Sequence, residues 1–377
     1  MPEITPVPLA KLTTLRVGGT PRRMIEATTT DELVAALRDV WDDREPWLVL
    51  GGGSNLLFGN EDFDGTVILI RTSGIERMPA PRDTHVRLRV QAGHSWDDFV
   101  AQSVAAGLSG VEAMSGIPGT VGASPIQNVG AYGQEVVDTL VEVELIDEVT
   151  GEVSTVPASE LGLGLRTSVL KQHYGSVPER SAVILSATFE LERVGHQPRP
   201  VPSARLRQAL GLADDASVSL AEIRETVLRI RASKGMVLDD ADPDTYSAGS
   251  FFQNPVLPAA AARALPPECP RWPVVPVDER DRVIPLDEFD GFVPPPAPEP
   301  DVKVSAAWLI EHAGMRKGFK IPQSRAGLST KHALALTNRG RANADEVAEL
   351  ARLIQQRVQS EFGILLEPEP VLIGVEL

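Results

Sequence analysis

Leu48-Val49-Leu50-Gly51-Gly52-Gly53-Ser54-Asn55 carries a short apolar strand straight into three glycines and two polar side chains. Glycines reach positive φ and bring backbone N–H groups against an anion with no Cβ in the way, so the stretch reads as a phosphate cradle. It is not a dinucleotide fingerprint, because Leu56 stands where the third glycine would be. Nor is it a P-loop, because no Gly-Lys-Ser/Thr follows. Taken alone, the triplet is read equally well as a tight turn between strands.

A second glycine-rich stretch removes much of that ambiguity. Ser115-Gly116-Ile117-Pro118-Gly119-Thr120-Val121-Gly122-Ala123-Ser124-Pro125-Ile126-Gln127-Asn128-Val129-Gly130-Ala131-Tyr132-Gly133 holds five glycines and two prolines. Such a chain makes no ordinary core element. It suits a surface laid against something flat or extended, such as a flavin ring with its pyrophosphate.

Working outward, Thr29 and Glu32 form a capping box that opens a helix through Leu37. Val67–Ile70 reads as a buried strand and Val86–Val90 as a half-buried one. A helix near Ser95–Ala106 leads into the second glycine block, and strands follow at Val141–Ile146 and Ala182–Leu191. Ser219 and Glu222 predict another capped helix, with Ile223, Val227 and Ile230 on one face. Ser305–His312 is a short helix stopped by Gly314. Asn343 caps a long one with Val347, Leu350, Ile354 and Val358 inward and Gly363 at its end. An apolar strand, Val371–Val375, closes the chain. Between Val277 and Pro300 the sequence is rich in proline and acids and reads as a surface insertion.

The chain has 377 residues and a formal charge of −16. That charge repels polyanions, so nucleic acid is not an expected partner. No run approaches the ~18 apolar residues of a membrane span, and the N-terminus lacks the basic start and apolar stretch of a signal peptide. The expectation is a cytoplasmic protein with no membrane partner. Cys269, the single cysteine, admits no internal disulfide, and the six histidines include no His-x-x-x-His pair, so no metal site is expected. The oligomeric state stays open, a monomer included.

These segments resemble the UDP-N-acetylenolpyruvoylglucosamine reductases (UDP-N-acetylmuramate dehydrogenases). The resemblance runs from Thr13-Thr14-Leu15-Arg16-Val17-Gly18-Gly19 to the C-terminus. It is carried by 51–58, 115–133, Leu165-Arg166-Thr167-Ser168, Gly249-Ser250-Phe251-Phe252-Gln253-Asn254-Pro255, Ala306-Ala307-Trp308-Leu309-Ile310 and Leu366-Glu367-Pro368-Glu369. It implies an α+β chain: the FAD-binding fold of the vanillyl-alcohol oxidase type, made of two α+β subdomains, plus a C-terminal α+β substrate-binding domain. The expected divisions are 1–72 with 371–377, 73–199 with 359–370, and 200–358 with the insertion near 277–300.

It further implies an FAD-dependent oxidoreductase of peptidoglycan precursor synthesis, and so of cell-wall growth, cell shape and division. NADPH would reduce non-covalent FAD, and the hydride would pass to the enolpyruvyl methylene carbon of a nucleotide-sugar substrate. Ser250 would protonate the resulting enolate, Arg166 would hold the substrate carboxylate and developing oxyanion, and Glu369 would complete the cluster if protonated. The implied cofactor contacts are Gly51, Gly53, Ser54, Asn55, Ser115, Gly116, Pro118, Gly119, Gly122, Ala123 and Ile126. The implied substrate contacts are Lys234, Asn254, His332, Tyr132 and Gln127.

The sequence departs from the family at two places. No tyrosine stands in Pro200-Val201-Pro202-Ser203-Ala204-Arg205, where one branch carries a lid, and Pro370-Val371 follows Glu369 in place of an arginine. His94, the nearest residue suited to covalent flavin attachment, reads instead as part of a helix start. Two other readings stay open on sequence: an alcohol-oxidising flavoenzyme of the same fold, and a binding module without turnover.

Overall fold

A computed structural model describes residues 3–201, 203–274 and 299–377, the side chain of Arg205 excepted. The expected insertion at 277–300 therefore falls outside the described residues except for its last two, and Pro202 of the lid segment falls outside as well. The chain enters and leaves the insertion at adjacent points. Strands Arg271–Pro273 and Val302–Val304 pair antiparallel, and Val274 N–H donates to Asp301 O at 2.7 Å.

Two sheets carry the N-terminal half. In the first, Phe63–Ile70 runs parallel between Pro21–Ala27 and Trp47–Leu50, with Glu3–Ile4 antiparallel at one edge. A central parallel strand is covered on both faces, which is why 65–70 is buried without alternation. The connecting helix, Thr30–Asp42, starts at the predicted Thr29–Glu32 capping box but continues past Leu37 by more than a turn. Its Leu33, Ala36, Leu37 and Val40 pack on Ile25, Ile68 and Ile70, and the same core takes in Ile146, Val183 and Leu185 of the second sheet.

The second sheet is antiparallel, in the order 153–157, 140–147, 182–193, 85–91, 75–78. Helix Trp96–Ala105, capped by Ser95, lays Trp96, Phe99 and Val100 on it, and Trp96, Phe99 and Phe189 form an aromatic cluster. Helix Leu220–Ser233 begins at the predicted Ser219–Glu222 box, and its Leu220, Ile223 and Val227 join this core.

The remaining core gathers Phe251, Phe252, Leu309, Ile310 and Leu336 with the inward face of helix Ala344–Phe362: Val347, Leu350, Ile354 and Val358, all fully buried. Ile364 and Leu366 belong to it too. The final strand is shorter than its apolar run, Val371–Ile373, and pairs parallel with Leu56–Phe58 just beyond the first glycine loop. That pairing returns the C-terminal segment, with Glu369, to the N-terminal sheet. Among the described residues no helix is long and apolar enough to cross a membrane.

Candidate active site

Glycine loop 51–53 follows strand Trp47–Leu50 and meets the second glycine block directly. A Cβ on Gly52 would stand 2.6 Å from Gly119 Cα, and one on Gly53, at φ +61°, would stand 2.1 Å from Leu12 O. The glycines are thus required for chain to lie on chain, as well as for exposing backbone. None of the N–H groups of Gly52, Gly53, Ser54, Asn55, Ile117 or Gly119 donates to another described residue. Backbone donors left unpaired on a concave wall form an anion-binding nest. Ser54 Oγ is occupied otherwise, donating to Pro118 O at 2.9 Å and tying the two loops together.

The nest opens into a cavity of about 650 Å³, within the usual range of cofactor sites. Its wall takes in Gly51, Gly53, Ser54, Asn55, Pro118, Gly119, Gly122, Ala123 and Ile126, and then Gln127, Arg166, Ser250 and Glu369. Two residues of the expected cofactor set lie behind the wall. Ser115 is fully buried, its hydroxyl donating to Glu112 O at 2.7 Å, and Gly116 N–H donates to Asp97 Oδ1 at 2.6 Å. Both shape the loop from outside the cavity.

Arg166 sits at φ +55° on a tight turn, a conformation that costs a non-glycine residue roughly 1 kcal/mol or more. Its side chain is held from three directions: Nε lies 3.3 Å from Glu369 Oε1, and the two terminal nitrogens donate to Asn128 O at 3.2 Å and Gly130 O at 2.8 Å. A guanidinium has five N–H donors, so two remain for a ligand.

Asn128, buried at φ +44°, is what keeps those carbonyls in place. Its amide donates to Glu135 Oε2 and Gly164 O, and its Oδ1 accepts from Val137 N–H, all within 3.0 Å. Asn128→Ala removes three part-buried hydrogen bonds to two segments, 135–137 and Gly164. An expected loss of about 3 kcal/mol in unfolding free energy is checked by denaturant titration; a change below about 1 kcal/mol would mean that the loop stands without this hub.

Ser250 and Glu369 are brought together by backbone. Phe251 O accepts from Glu369 N–H at 2.9 Å, Glu367 O accepts from Gln253 N–H at 3.0 Å, and Phe252 bridges Pro368. The N-terminal motif steadies the same segment: Thr14 Oγ1 donates to Ser247 O at 2.6 Å, and the Arg16 guanidinium lies 3.6 Å over the Tyr246 ring. The hydroxyl of Ser250 makes no hydrogen bond with another described residue. Burial raises the Glu369 carboxyl above the usual carboxylate range, against the pull of Arg166 and Lys171.

Gln127 Oε1 accepts from Asn55 Nδ2 at 2.7 Å and from Lys171 Nζ at 3.3 Å. The other four expected substrate contacts lie off the cavity wall. Asn254 Oδ1 accepts from Ala306 N–H at the start of helix Ala306–His312. Lys234 is exposed, with its ammonium 5.9 Å from the Tyr132 ring centroid. Burial, followed by Lys234, Lys317 and Arg231, holds the His332 imidazole down to about 4. Its Nδ1 accepts from Leu334 N–H at 3.2 Å, so at neutral pH His332 offers a neutral Nε2–H donor. Arg231, which the motifs did not single out, lines the cavity, and its buried Nε has no partner among the described residues.

An α+β scaffold with two glycine loops, unpaired N–H groups and a cavity of cofactor size defines an FAD-binding protein, and residues 21–156 match the family described as FAD binding domain. Residues 242–373 match the UDP-N-acetylenolpyruvoylglucosamine reductase, C-terminal domain. Reductases of that name from Leifsonia xyli subsp. xyli and Thermobifida fusca are 49% and 46% identical to the chain; the alignments cover 99% and 98% of it and the same shares of the relatives. The solved UDP-N-acetylenolpyruvylglucosamine reductase from Thermus caldophilus superposes with a TM-score of 0.60 at 25% identity, covering 98% of each chain. The chain belongs to the UDP-N-acetylenolpyruvoylglucosamine reductase family, a family of FAD-dependent oxidoreductases.

Proposed function

We propose that the protein reduces UDP-N-acetylglucosamine enolpyruvate to UDP-N-acetylmuramate in the cytoplasm, with NADPH as reductant, for peptidoglycan precursor synthesis. The observation that carries this reading is the convergence of Ser250, Arg166 and Glu369 on one cavity wall beside the unpaired N–H groups of the glycine loops. The glycine loops 51–55 and 117–126 would hold FAD, and the chemistry the cofactor would supply is hydride transfer from NADPH to the enolpyruvyl methylene carbon. The chain's own residues then manage the charge left behind. The two remaining donors of Arg166 meet the carboxylate and the developing oxyanion, and a protonated Glu369 avoids repelling them. The Ser250 hydroxyl gives its proton to the adjacent carbon. Arg231, Lys234 and Lys317, which all act on His332, form a positive edge suited to the diphosphate in a protein that is acidic overall.

Purified protein is expected to be yellow and to release intact FAD on denaturation, with NADPH consumed only when the enolpyruvyl sugar nucleotide is added. A colourless preparation that takes up no FAD would defeat the reading. So would steady NADPH consumption that ignores the sugar nucleotide.

A further inference from the structure

The least expected group in the cavity wall is a lysine. Lys171 is 4% exposed, and lysines are almost never this buried without a specific partner. Its ammonium donates to the main-chain carbonyl of Glu369 at 3.1 Å and to Gln127 Oε1 at 3.3 Å, and Asn55 closes the group onto Gln127 at 2.7 Å. Lys171 joins the second glycine block to the C-terminal segment that carries Glu369, and Asn55 of the first glycine loop reaches the same two acceptors, Gln127 Oε1 and, at 3.5 Å, Glu369 O.

The charge balance is also unusual for a structural pair. Arg166 and Lys171 face a single carboxyl, Glu369, which burial drives toward its neutral form. The buried Lys171 ammonium and the part-exposed Arg166 guanidinium thus share one carboxyl whose charge burial disfavours, an arrangement that a ligand anion would complete.

We propose that Lys171 is a positioning residue for the reduction, holding the Glu369–Arg166 pair in register through the Glu369 carbonyl and Gln127 and supplying the second positive charge behind the developing oxyanion. This rests on the functional reading above. Among the described residues, Glu369 and Arg166 are the charged groups that act on Lys171, and burial is the larger influence, lowering the ammonium to about 8.

Lys171→Gln removes the charge at similar length. It is expected to lower kcat by about 10²-fold, the scale of a ~1 Å misplacement, while the KM for the sugar nucleotide moves less than about threefold. In the wild type, kcat should fall with an alkaline limb near 8, and Lys171→Arg, always charged, should lose that limb.

A readout independent of turnover accompanies these. The folded state releases the Lys171 proton at lower pH than the unfolded chain, so this residue adds stability as pH rises from about 8 toward 10.5. The wild-type melting temperature should therefore gain on that of Lys171→Arg across that window. Wild-type kcat in a folded Lys171→Gln overturns the proposal. If Lys171→Gln does not fold, an alkaline limb still near 8 in Lys171→Arg overturns it instead. A wild type with no sugar-nucleotide-dependent NADPH oxidation defeats the functional reading, and the melting comparison still reports on Lys171.

Discussion

Ser250→Ala is expected to leave the bleaching of bound flavin by NADPH near its wild-type rate while slowing reoxidation by the enolpyruvyl sugar nucleotide by about 10²–10⁴-fold, the contribution of one general acid. The asymmetry follows from assigning Ser250 a role only after hydride has left for the substrate. The structure makes the substitution clean. The Ser250 hydroxyl has no hydrogen-bond partner among the described residues, and the segment is held by main-chain bonds at Phe251 and Gln253 and by Thr14 on Ser247. Stability should therefore stay within about 0.5 kcal/mol. Stopped-flow absorbance separates the two half-reactions. An equal fall in both would make Ser250 a residue of the fold alone.

Arg166→Lys is expected to cost about 2–4 kcal/mol in transition-state stabilisation, the scale of an oxyanion donor. The charge survives, but an ammonium cannot reach Glu369, Asn128 O and Gly130 O while also presenting a pair of donors outward. Some of the loss will come from the loop, whose carbonyls lose partners, so kcat/KM must be measured beside a melting curve. Turnover within a few-fold of wild type in a folded variant would show that Arg166 serves the Glu369 ion pair and the loop, and does not touch the reacting group.

The sequence by itself determined most of the elements and the family. Local chemistry accounts for this. Capping boxes at Thr29, Ser219 and Asn343 fix helix starts through neighbours three residues away. The apolar periodicity of 344–362 needs only its own turn-by-turn geometry. The two glycine blocks were legible because glycine at such density has few structural uses. The motifs also named Arg166, Ser250 and Glu369, residues 203 positions apart at the widest, without showing how they meet.

Meeting is a long-range event, and tertiary structure decided it. The strand pair 56–58 and 371–373 returns Glu369 to the first glycine loop, and the main-chain bond between Phe251 and Glu369 sets it beside Ser250. Neither pairing leaves a local trace in composition. The same holds for Lys171: a lysine after Val169-Leu170 reads as an ordinary solvated residue, and only the packing of three distant segments around it removes its water. Ser115 and Gly116 show the same dependence: the fold sets the Ser115 hydroxyl on Glu112 O and the Gly116 N–H on Asp97, bonds that the motif alone does not announce. A glycine block shows that backbone will be exposed to something; which of its residues face the cavity depends on the elements packed behind it.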